Sequence, residues 1–521
     1  MTTICPFRRP PSPRLRDDAR ATTTTTTTTT EKIHPSTLEF HTHHPAPARH
    51  DDKPHVLTTT TEHADLEKDD QPAIDYAGAH DKVDPKEIAL VRKLDMYLMP
   101  ILWIMYFLNY LDRNAIALAR LDGLEDDLHL KGRQYETCVS MLFVGYSALE
   151  HDHHARAAVV VAVGLHGPVG VVSGSAALTH DYKGLVLARF FLGVTEAPWT
   201  PGALYILSVF YNRKEMATRI SIMYSGNVLA NAFAGLIAAG VFDGMGGSLG
   251  LPGWRWYFIL IGCITFVVAI LSAFVLPDDP LTTRWLSPEE RLLANARIVR
   301  DTVDHAPPQT SWKGLLEVMK DPKVWVFCFM DHAHVAATSF KNFFPTVVTT
   351  LGFSRTITLV LTCPPYLVAA LFAIYWSWQS CRYNEKTYHM IAAKLFAAFG
   401  FALAAGTLNT GARYFAMVVF STGTYSCNAL IYSWLSSTVG HTKEKKASAM
   451  ALVNTMANVG FVWTPYLWPK SNAPRYDIPL GSCAGFSVLG AACALFLKMM
   501  LVRLNKSPRH TEEGNFLAYA Y

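Results

Sequence analysis

Twelve apolar runs, each near the length needed to cross a lipid bilayer, dominate the chain. A membrane-spanning helix needs about 20 consecutive, mainly apolar residues. Backbone groups inside lipid must also bond within one helix or within a closed barrel. Runs of this length therefore predict an all-α polytopic membrane protein with twelve transmembrane helices in two six-helix halves. The runs are 97–117, 134–149, 157–178, 184–209, 218–241 and 254–276, then 323–348, 356–378, 387–408, 412–435, 447–468 and 481–502.

Composition supports a membrane protein. Charged residues make up 17% of the chain, against about 25% in soluble proteins. We divide the chain into a disordered cytosolic tail, a first half, a cytoplasmic linker with an amphipathic helix, a second half and a second cytosolic tail. Their predicted bounds are 1–90, 91–276, 277–322, 323–503 and 504–521.

Positive charge predicts the orientation. Lys and Arg collect on the cytoplasmic side of membrane proteins. They recur here at alternate connections, so we expect both termini to be cytoplasmic. The groups are Arg92 and Lys93; Arg213, Lys214 and Arg219; Arg291 to Lys320; Arg382 and Lys386; Lys443 to Lys446; and Arg503 to Arg509.

The fourth run contains charges that lipid would not tolerate. Arg189 and Glu196 are seven residues apart, so they lie on one face of a helix. A charge at the centre of a span costs about 2.5–3.5 kcal/mol on insertion scales, so this face should contact protein or water. Pro198 and Pro201 then interrupt the helix. The run predicts a broken, charged wall of a solute pathway.

The first run ends in a polar cluster. Asn109, Asp112 and Arg113 lie on one side of the helix. The adjacent Asp112 and Arg113 can compensate each other electrically and still titrate. A buried ion pair that only fixes helix packing is the alternative, and the sequence does not decide between them.

The seventh run carries a polar stripe. Asp331, His334, Thr338 and Lys341 recur at helical spacing. Histidine titrates near neutral pH and an aspartate beside it can share a proton, as a proton-coupled step requires. A stripe that lines water without any function is the alternative.

Paired asparagines occur at matching places in the two halves. Asn227 and Asn231 flank a seam of small residues in the fifth run, and Asn454 and Asn458 repeat the pairing in the eleventh. These amides either face substrate or bond to another helix.

One segment is anomalous. Residues 147–169 interrupt the second span early, and their first part puts acidic residues and histidines where the cytoplasmic half of that span should be. This cluster of acidic residues and histidines makes a poor chelate, so we expect no metal site. The cluster is Glu150, His151, Asp152, His153 and His154.

Motifs spread along the chain resemble the major facilitator superfamily and, more narrowly, the fungal anion:cation symporters of the allantoate permease-like group. The resemblance runs from about residue 88 to 506. Its motifs are Leu111-Asp112-Arg113-Asn114, Arg189-Phe190-Phe191-Leu192-Gly193, Glu196-Ala197, Pro201-Gly202, Trp254-Arg255-Trp256, Asn342-Phe343-Phe344-Pro345-Thr346, Arg382-Tyr383-Asn384-Glu385-Lys386-Thr387 and Trp468-Pro469-Lys470.

This resemblance implies alternating access and proton-driven uptake of a small organic anion such as nicotinate, pantothenate or allantoate. Arg189 would be the counter-charge, and Asp112, Glu196 or the pair Asp331 and His334 would carry protons. It implies a monomer in the lipid bilayer with no cofactor and no nucleic-acid partner. Without retention or transit signals, the plasma membrane is the expected location.

Two other functions are compatible with the same fold. One is a non-transporting membrane sensor, although the predicted tails are short or disordered. The other is a defective carrier, because residues 147–169 depart from the family at a loop that gates the cytoplasmic side. An enzyme is not expected, since the chain shows no nucleophile with a base, metal set or phosphate loop.

Overall fold

The computed structural model describes residues 84–149, 158–277, 279–302, 311–383, 385–439 and 443–505, and every regular element in these ranges is helical. We number the predicted membrane runs as spans 1 to 12. Spans 1 to 6 are Pro85–Ala119, Gln134–Leu149, Ala158–Ser175, the pair Tyr182–Glu196 and Trp199–Phe210, Arg213–Met245, and Gly253–Val275.

Spans 7 to 12 contain more interruptions. Span 7 joins Pro322–Thr338, Ser339–Asn342 and Phe344–Thr349; span 8 joins Arg355–Leu361 and Cys363–Tyr383; spans 9 and 10 are Thr387–Gly406 and Thr410–Thr438; span 11 joins Lys443–Asn458, Gly460–Trp463 and Thr464–Leu467; span 12 is Asp477–Asn505. The prediction of an all-α fold is confirmed for the described residues.

Span 1 begins earlier than the sequence suggested. Pro85 stands at the first helical position, and the Asp84 carboxylate accepts a hydrogen bond from the backbone N–H of Lys86 at 2.8 Å. A carboxylate cap and a proline at this position both favour helix initiation. Residues 85–90 are therefore helical, whereas the rest of the predicted first tail and residues 506–521 lie outside the described residues.

The linker helix Pro288–Thr302 is attached to the first half. A capping box begins this helix, since Ser287 and Glu290 exchange side-chain to backbone hydrogen bonds of 2.8 and 3.2 Å. Lys93 of span 1 donates to Glu290 at 2.8 Å and, with the Ser287 bonds, holds the pKa of Glu290 below its ordinary value. The buried Arg297 also donates to Glu87 and Glu215, at 2.9 and 2.7 Å. The second linker helix, Ser311–Met319, packs on span 11.

Five of the described helices are each long and apolar enough to cross a membrane: Thr218–Met245, Gly253–Val275, Arg355–Ser380, Thr387–Gly406 and Asp477–Asn505. The remaining spans are shorter unbroken helices or carry more polar side chains. Large apolar side chains also cover the outer surface of the bundle, and Leu371 is 72% exposed. Such a surface suits contact with lipid.

The two halves repeat one packing scheme. In the first half, span 1 packs on spans 5 and 6, span 2 on span 4, and span 3 on span 6. In the second half, span 7 packs on spans 11 and 12, span 8 on span 10, and span 9 on span 12. The halves meet where span 5 contacts span 8 and span 2 contacts span 11. The two contacts are equivalent, since each joins the second span of one half to the fifth span of the other, as expected for internal repeats.

Spans 2 and 4 approach so closely that one position admits only glycine. A Cβ atom added to Gly193 would overlap the carbonyl oxygen of Leu142. Because both partners are backbone, neither can move aside without separating the helices. Gly193 thus fixes the distance between the wall that carries Arg189 and span 2.

We expect Gly193→Ala to lower the thermal stability of the purified protein, with an overpacking cost of about 1–3 kcal/mol or more. Gly240→Ala is the matched control, because a Cβ atom at Gly240 meets no atom within 4 Å. Fluorescence-detected size-exclusion chromatography after a temperature series would compare the two variants. Equal unfolding temperatures would contradict the close approach of spans 2 and 4.

Part of the anomalous segment is described. Residues 147–149 complete span 2, and residues 158–169 form the first part of span 3. The cluster Glu150, His151, Asp152, His153 and His154 lies outside the described residues, so the structure does not test its interpretation.

Candidate functional site

Two small cavities lie side by side between the halves. They share the lining residues Asn114, Ala117 and Lys341. The first is also lined by Tyr110, Arg113, Ile116, Val139, Leu142, Phe143, Arg189 and Asn342. The second is also lined by Leu118, Asn231, Ala234, Gly235, Phe344, Pro345, Thr362 and Tyr366. Both halves contribute, as expected for a site between repeats.

Arg113 and Glu196 form a buried ion pair beside the first cavity. Arg113 Nε donates to Glu196 Oε2 at 2.5 Å, and the guanidinium carbon lies 4.8 Å from the ring centre of Tyr146. Glu196 is 1% exposed, and its Oε1 has no hydrogen-bond partner. We predicted that Arg113 is compensated by Asp112 of the same span. Arg113 instead pairs with Glu196, so the ion pair joins span 1 to span 4.

Asp112 is instead held by hydroxyl groups. Ser173 Oγ donates to its Oδ1, and Thr265 Oγ1 donates to its Oδ2 at 3.0 Å. The side chain is fully buried among spans 1, 3 and 6 and does not line either cavity. Asp112 therefore lies behind the cavity wall.

Arg189 lies on the cavity wall, as its position in the broken span 4 suggested. Its two terminal nitrogens donate to the backbone carbonyls of Asp112 and Arg113 at 3.4 and 3.2 Å. Within the ranges that the structure describes, its Nε has no partner and no carboxylate contacts the guanidinium group. Arg189 thus joins spans 4 and 1 and keeps a positive field at the first cavity.

Lys341 stands where the two cavities meet. It belongs to the segment Ser339–Asn342, where span 7 departs from α-helical geometry. Its Nζ lies 4.2 Å from the ring centre of Phe461 in span 11. Within the described part of the chain, no carboxylate lies within ion-pair distance of this ammonium group. Lys341 is the cation most available to a bound anion.

An asparagine chain borders the second cavity. Asn114 Nδ2 donates to Asn231 Oδ1 at 3.0 Å, and Asn231 Nδ2 donates to Asn227 Oδ1 at 2.7 Å. Asn114 and Asn231 line the cavity, whereas Asn227 supports Asn231 from behind. Asn114 belongs to the motif Leu111-Asp112-Arg113-Asn114, but we did not predict it as a site residue.

The other predicted polar residues lie inside the second half. Tyr432 OH is 3.0 Å from Asp331 Oδ2 and 3.1 Å from Asn454 Oδ1. His334 Nδ1 is 2.8 Å from Lys394 Nζ. None of these residues lines the two cavities. The predicted stripe on span 7 thus divides, with Lys341 at the cavity and Asp331 and His334 buried away from it.

Two further polar residues, Asn458 and Lys394, lie in spans 11 and 9. Asn458 ends the first helix of span 11, directly before its break at Val459. Lys394 is 1% exposed in span 9 and was not predicted. Its position as a lone lysine inside the apolar run 387–408 could have identified it from the sequence, because buried charges in membrane spans are costly and are usually functional.

Ion pairs join the halves at the end of the bundle opposite the termini, which we call the far end. Arg355 of span 8 pairs with Asp122, and with Asp243 at 3.2 Å. Lys470 pairs with Glu125. Burial raises the pKa of Asp122 above its ordinary value, while Arg355 acts in the opposite direction. At the other end, the ion pairs among the described residues stay within one half and its linker.

These features define a solute transporter of the two-repeat helical class, closed at its far end. The family model described as the Major Facilitator Superfamily matches residues 102–465, and the chain belongs to this superfamily. Twelve membrane helices are therefore confirmed as its fold, and the expectation that the chain is not an enzyme is confirmed by its family.

Curated relatives agree. The major facilitator-type transporter hxnP of Emericella nidulans is 28% identical over 422 residues, covering 78% of this chain and 84% of that protein. The MFS-type transporter efuF of Hormonema carpetanum is 30% identical over 415 residues, covering 78% of this chain and 83% of that protein. Neither name specifies a substrate.

Solved structures show the same fold at low identity. A bacterial homologue of the human lysosomal transporter Spinster, in an inward-facing and unoccupied conformation, has a TM-score of 0.62 and 16% identity over 78% of this chain and 98% of that one. A D-xylose-proton symporter has a TM-score of 0.56 and 16% identity, over 77% and 97%. The protein is thus a multi-pass membrane transporter for a small molecule.

Proposed function

We propose that this protein imports a small organic anion, such as nicotinate, pantothenate or allantoate, together with protons. The charge of the first cavity carries the proposal. Three of its lining residues are cationic, namely Arg113, Arg189 and Lys341, and none of its lining residues is acidic. Glu196 compensates only Arg113 by direct contact. A carboxylate bound there would meet the uncompensated positive charge.

Buried carboxyl groups support proton coupling. Among the described residues, Glu196 Oε1 and Asp331 Oδ1 have no hydrogen-bond partner. A buried carboxylate oxygen without a donor is costly when ionised, and protonation relieves that cost. Asp112 and His334 complete the set of buried groups that we propose as proton carriers. Asp112 and Glu196 belong to the first half, and Asp331 and His334 belong to the second.

Orientation and location follow from the same proposal. The alternating positive connections support a cytoplasmic location of both termini, in which case the closed far end would face outward and the transporter would be inward-facing. The allantoate permease-like subfamily, a monomeric state and a location in the plasma membrane belong to the proposal as well. Their support is the motif pattern of the sequence.

Uptake of labelled nicotinate, pantothenate and allantoate by transport-deficient yeast tests the proposal. We expect uptake of at least one anion to be stimulated at acidic external pH and abolished by a protonophore. Cells expressing a variant with both Arg189 and Lys341 replaced by methionine are the control, with surface abundance measured in each strain. Uptake that is unchanged by the protonophore would contradict proton coupling.

A defective carrier is the second candidate, and residues 147–169 are the observation that favours it. Absence of uptake at normal surface abundance, followed by uptake once a family-like segment replaces residues 147–169, would establish this alternative. Absence of uptake in both forms would contradict the assignment of these anions and favour a sensor.

A further inference from the structure

Two buried bases share a hydrogen bond inside the second half. His334 Nδ1 and Lys394 Nζ are 2.8 Å apart, and the two residues are 3% and 1% exposed. A protonated Lys394 has three donors and no acceptor, so in that state His334 accepts at Nδ1 and carries its own proton at Nε2. A proton can therefore bind Nδ1 only if Lys394 leaves it.

A second acceptor for Lys394 lies one helical turn away. Asp331 precedes His334 by three residues, and side chains at this spacing are neighbours on one helix face. Its Oδ1 is buried without a partner, while its Oδ2 is engaged by Tyr432. Asp331 acts electrostatically on Lys394 but is not in contact with it. An ammonium displaced from His334 would find this oxygen free.

Lys394 packs directly against the backbone of span 12. A Cβ atom at Gly490 would lie 3.2 Å from Lys394 Cε and 3.5 Å from its Nζ, so a larger residue at this position would crowd the lysine. Gly490 therefore admits the Lys394 side chain between spans 9 and 12. The ionisable groups near this site include Tyr432 and Cys427 on span 10, Cys493 on span 12, and Cys328, Asp331 and Lys341 on span 7.

His332, the other histidine of span 7, points elsewhere. Its Nδ1 is 2.8 Å from the carbonyl oxygen of Met456, and its Nε2 accepts from the indole of Trp463 at 3.3 Å. Both partners belong to span 11. His332 therefore does not compete for the proton or for Lys394.

We propose that His334 Nδ1 is a proton-binding site and that its occupation transfers the Lys394 ammonium to Asp331. The incoming proton takes the position of the Lys394 hydrogen on Nδ1, and the Nζ–H···Nδ1 bond breaks. Lys394 keeps its three protons and donates one to Asp331 Oδ1. Spans 7 and 9 thereby exchange one contact for another when a proton binds.

This inference deepens the proposed proton coupling and rests on it, so its test does not use transport. Purified full-length protein labelled with ¹⁵N-histidine would be titrated by NMR, with the His334 signal assigned by its loss in His334→Gln. We expect that signal to change from the Nε2–H form to the doubly protonated form on acidification. His389→Gln is the control, and it should leave the His334 transition unmoved.

A double-mutant cycle then isolates the movement of Lys394. We expect Lys394→Met to raise the midpoint pH of the His334 transition by about one unit, a tenfold change in proton affinity, and Asp331→Asn to lower it by about as much. In the Lys394→Met background, the effect of Asp331→Asn should fall to less than half. Lys394→Gln replaces Lys394→Met if the latter does not fold.

Additive shifts would overturn the proposal, because they would mean that Asp331 acts on His334 by charge alone. A His334 signal that keeps one form across the stable pH range would overturn it too. Neither result depends on whether an anion is transported. Failure of this inference can therefore be separated from failure of the proposed function.

Discussion

Replacing Lys341 with methionine is expected to reduce anion uptake by about tenfold or more at normal surface abundance. Lys341 lines both cavities and has no carboxylate in contact among the described residues. A hydrogen bond to a charged group contributes about 1.5–3 kcal/mol, which is a factor of about 10 or more in affinity. Arg113 would be a poorer choice, because Glu196 already compensates its charge.

Two variants control this prediction. Lys341→Arg keeps the positive charge and should retain more uptake than Lys341→Met. Lys183→Met removes a lysine from an exposed position at the start of span 4 and should leave uptake unchanged. If Lys341→Met and Lys183→Met take up the anion equally well, Lys341 does not bind the substrate. That result would also weaken the proposal that the substrate is an anion.

Replacing Arg355 with methionine is expected to open the far end of the transporter. Arg355 bonds to Asp122 and Asp243 of the other half, and the side chain of Asp122 is only 5% exposed. Loss of these pairs should cost the closed state about 1–2 kcal/mol, a factor of about 5–30 in the equilibrium between closed and open forms. The pair of Lys470 with Glu125 and the hydrogen bond from Thr356 to Asp243 would remain at the far end.

Thiol accessibility measures this change. A cysteine at Thr362, which lines the second cavity and is 2% exposed, would report entry of a membrane-impermeant reagent from the far end. Labelling should be several-fold faster with Arg355→Met than without it, after subtraction of the signal from the native cysteines. Arg382→Met is the control, since Arg382 contacts the ring of Trp378 in its own helix. Equal labelling rates would show that these pairs do not hold the halves together.

Several parts of the site could be anticipated because they depend on local spacing. The seven-residue interval between Arg189 and Glu196 placed both on one face, and both are buried. Pro198 and Pro201 predicted the break that separates Tyr182–Glu196 from Trp199–Phe210. The amphipathic helix of the predicted linker 277–322 is the helix Pro288–Thr302. Each inference needed only helical geometry and residues within two turns.

Pairings between distant spans could not be anticipated. Arg113 bonds to Glu196, which is 83 residues away, although Asp112 is its immediate neighbour. His334 contacts Lys394 of span 9 rather than Asp331 of its own helix. Adjacent residues on a helix point in directions about 100° apart, so sequence neighbours need not face the same partner. Only the packing of the helices determines which side chains meet.

The sequence by itself determined that this protein is a helical membrane protein of two six-helix halves, because apolar runs of about 20 residues cross lipid as helices that satisfy their own backbone hydrogen bonds. The tertiary structure decided which polar residues line the cavities and which are buried behind them. It also decided that the ion pairs between the halves lie at the far end. The physical reason is that lipid sets the length and polarity of each span separately, so these properties can be read from one stretch of sequence. Buried charges are compensated by residues of other spans, so their partners depend on how the spans pack.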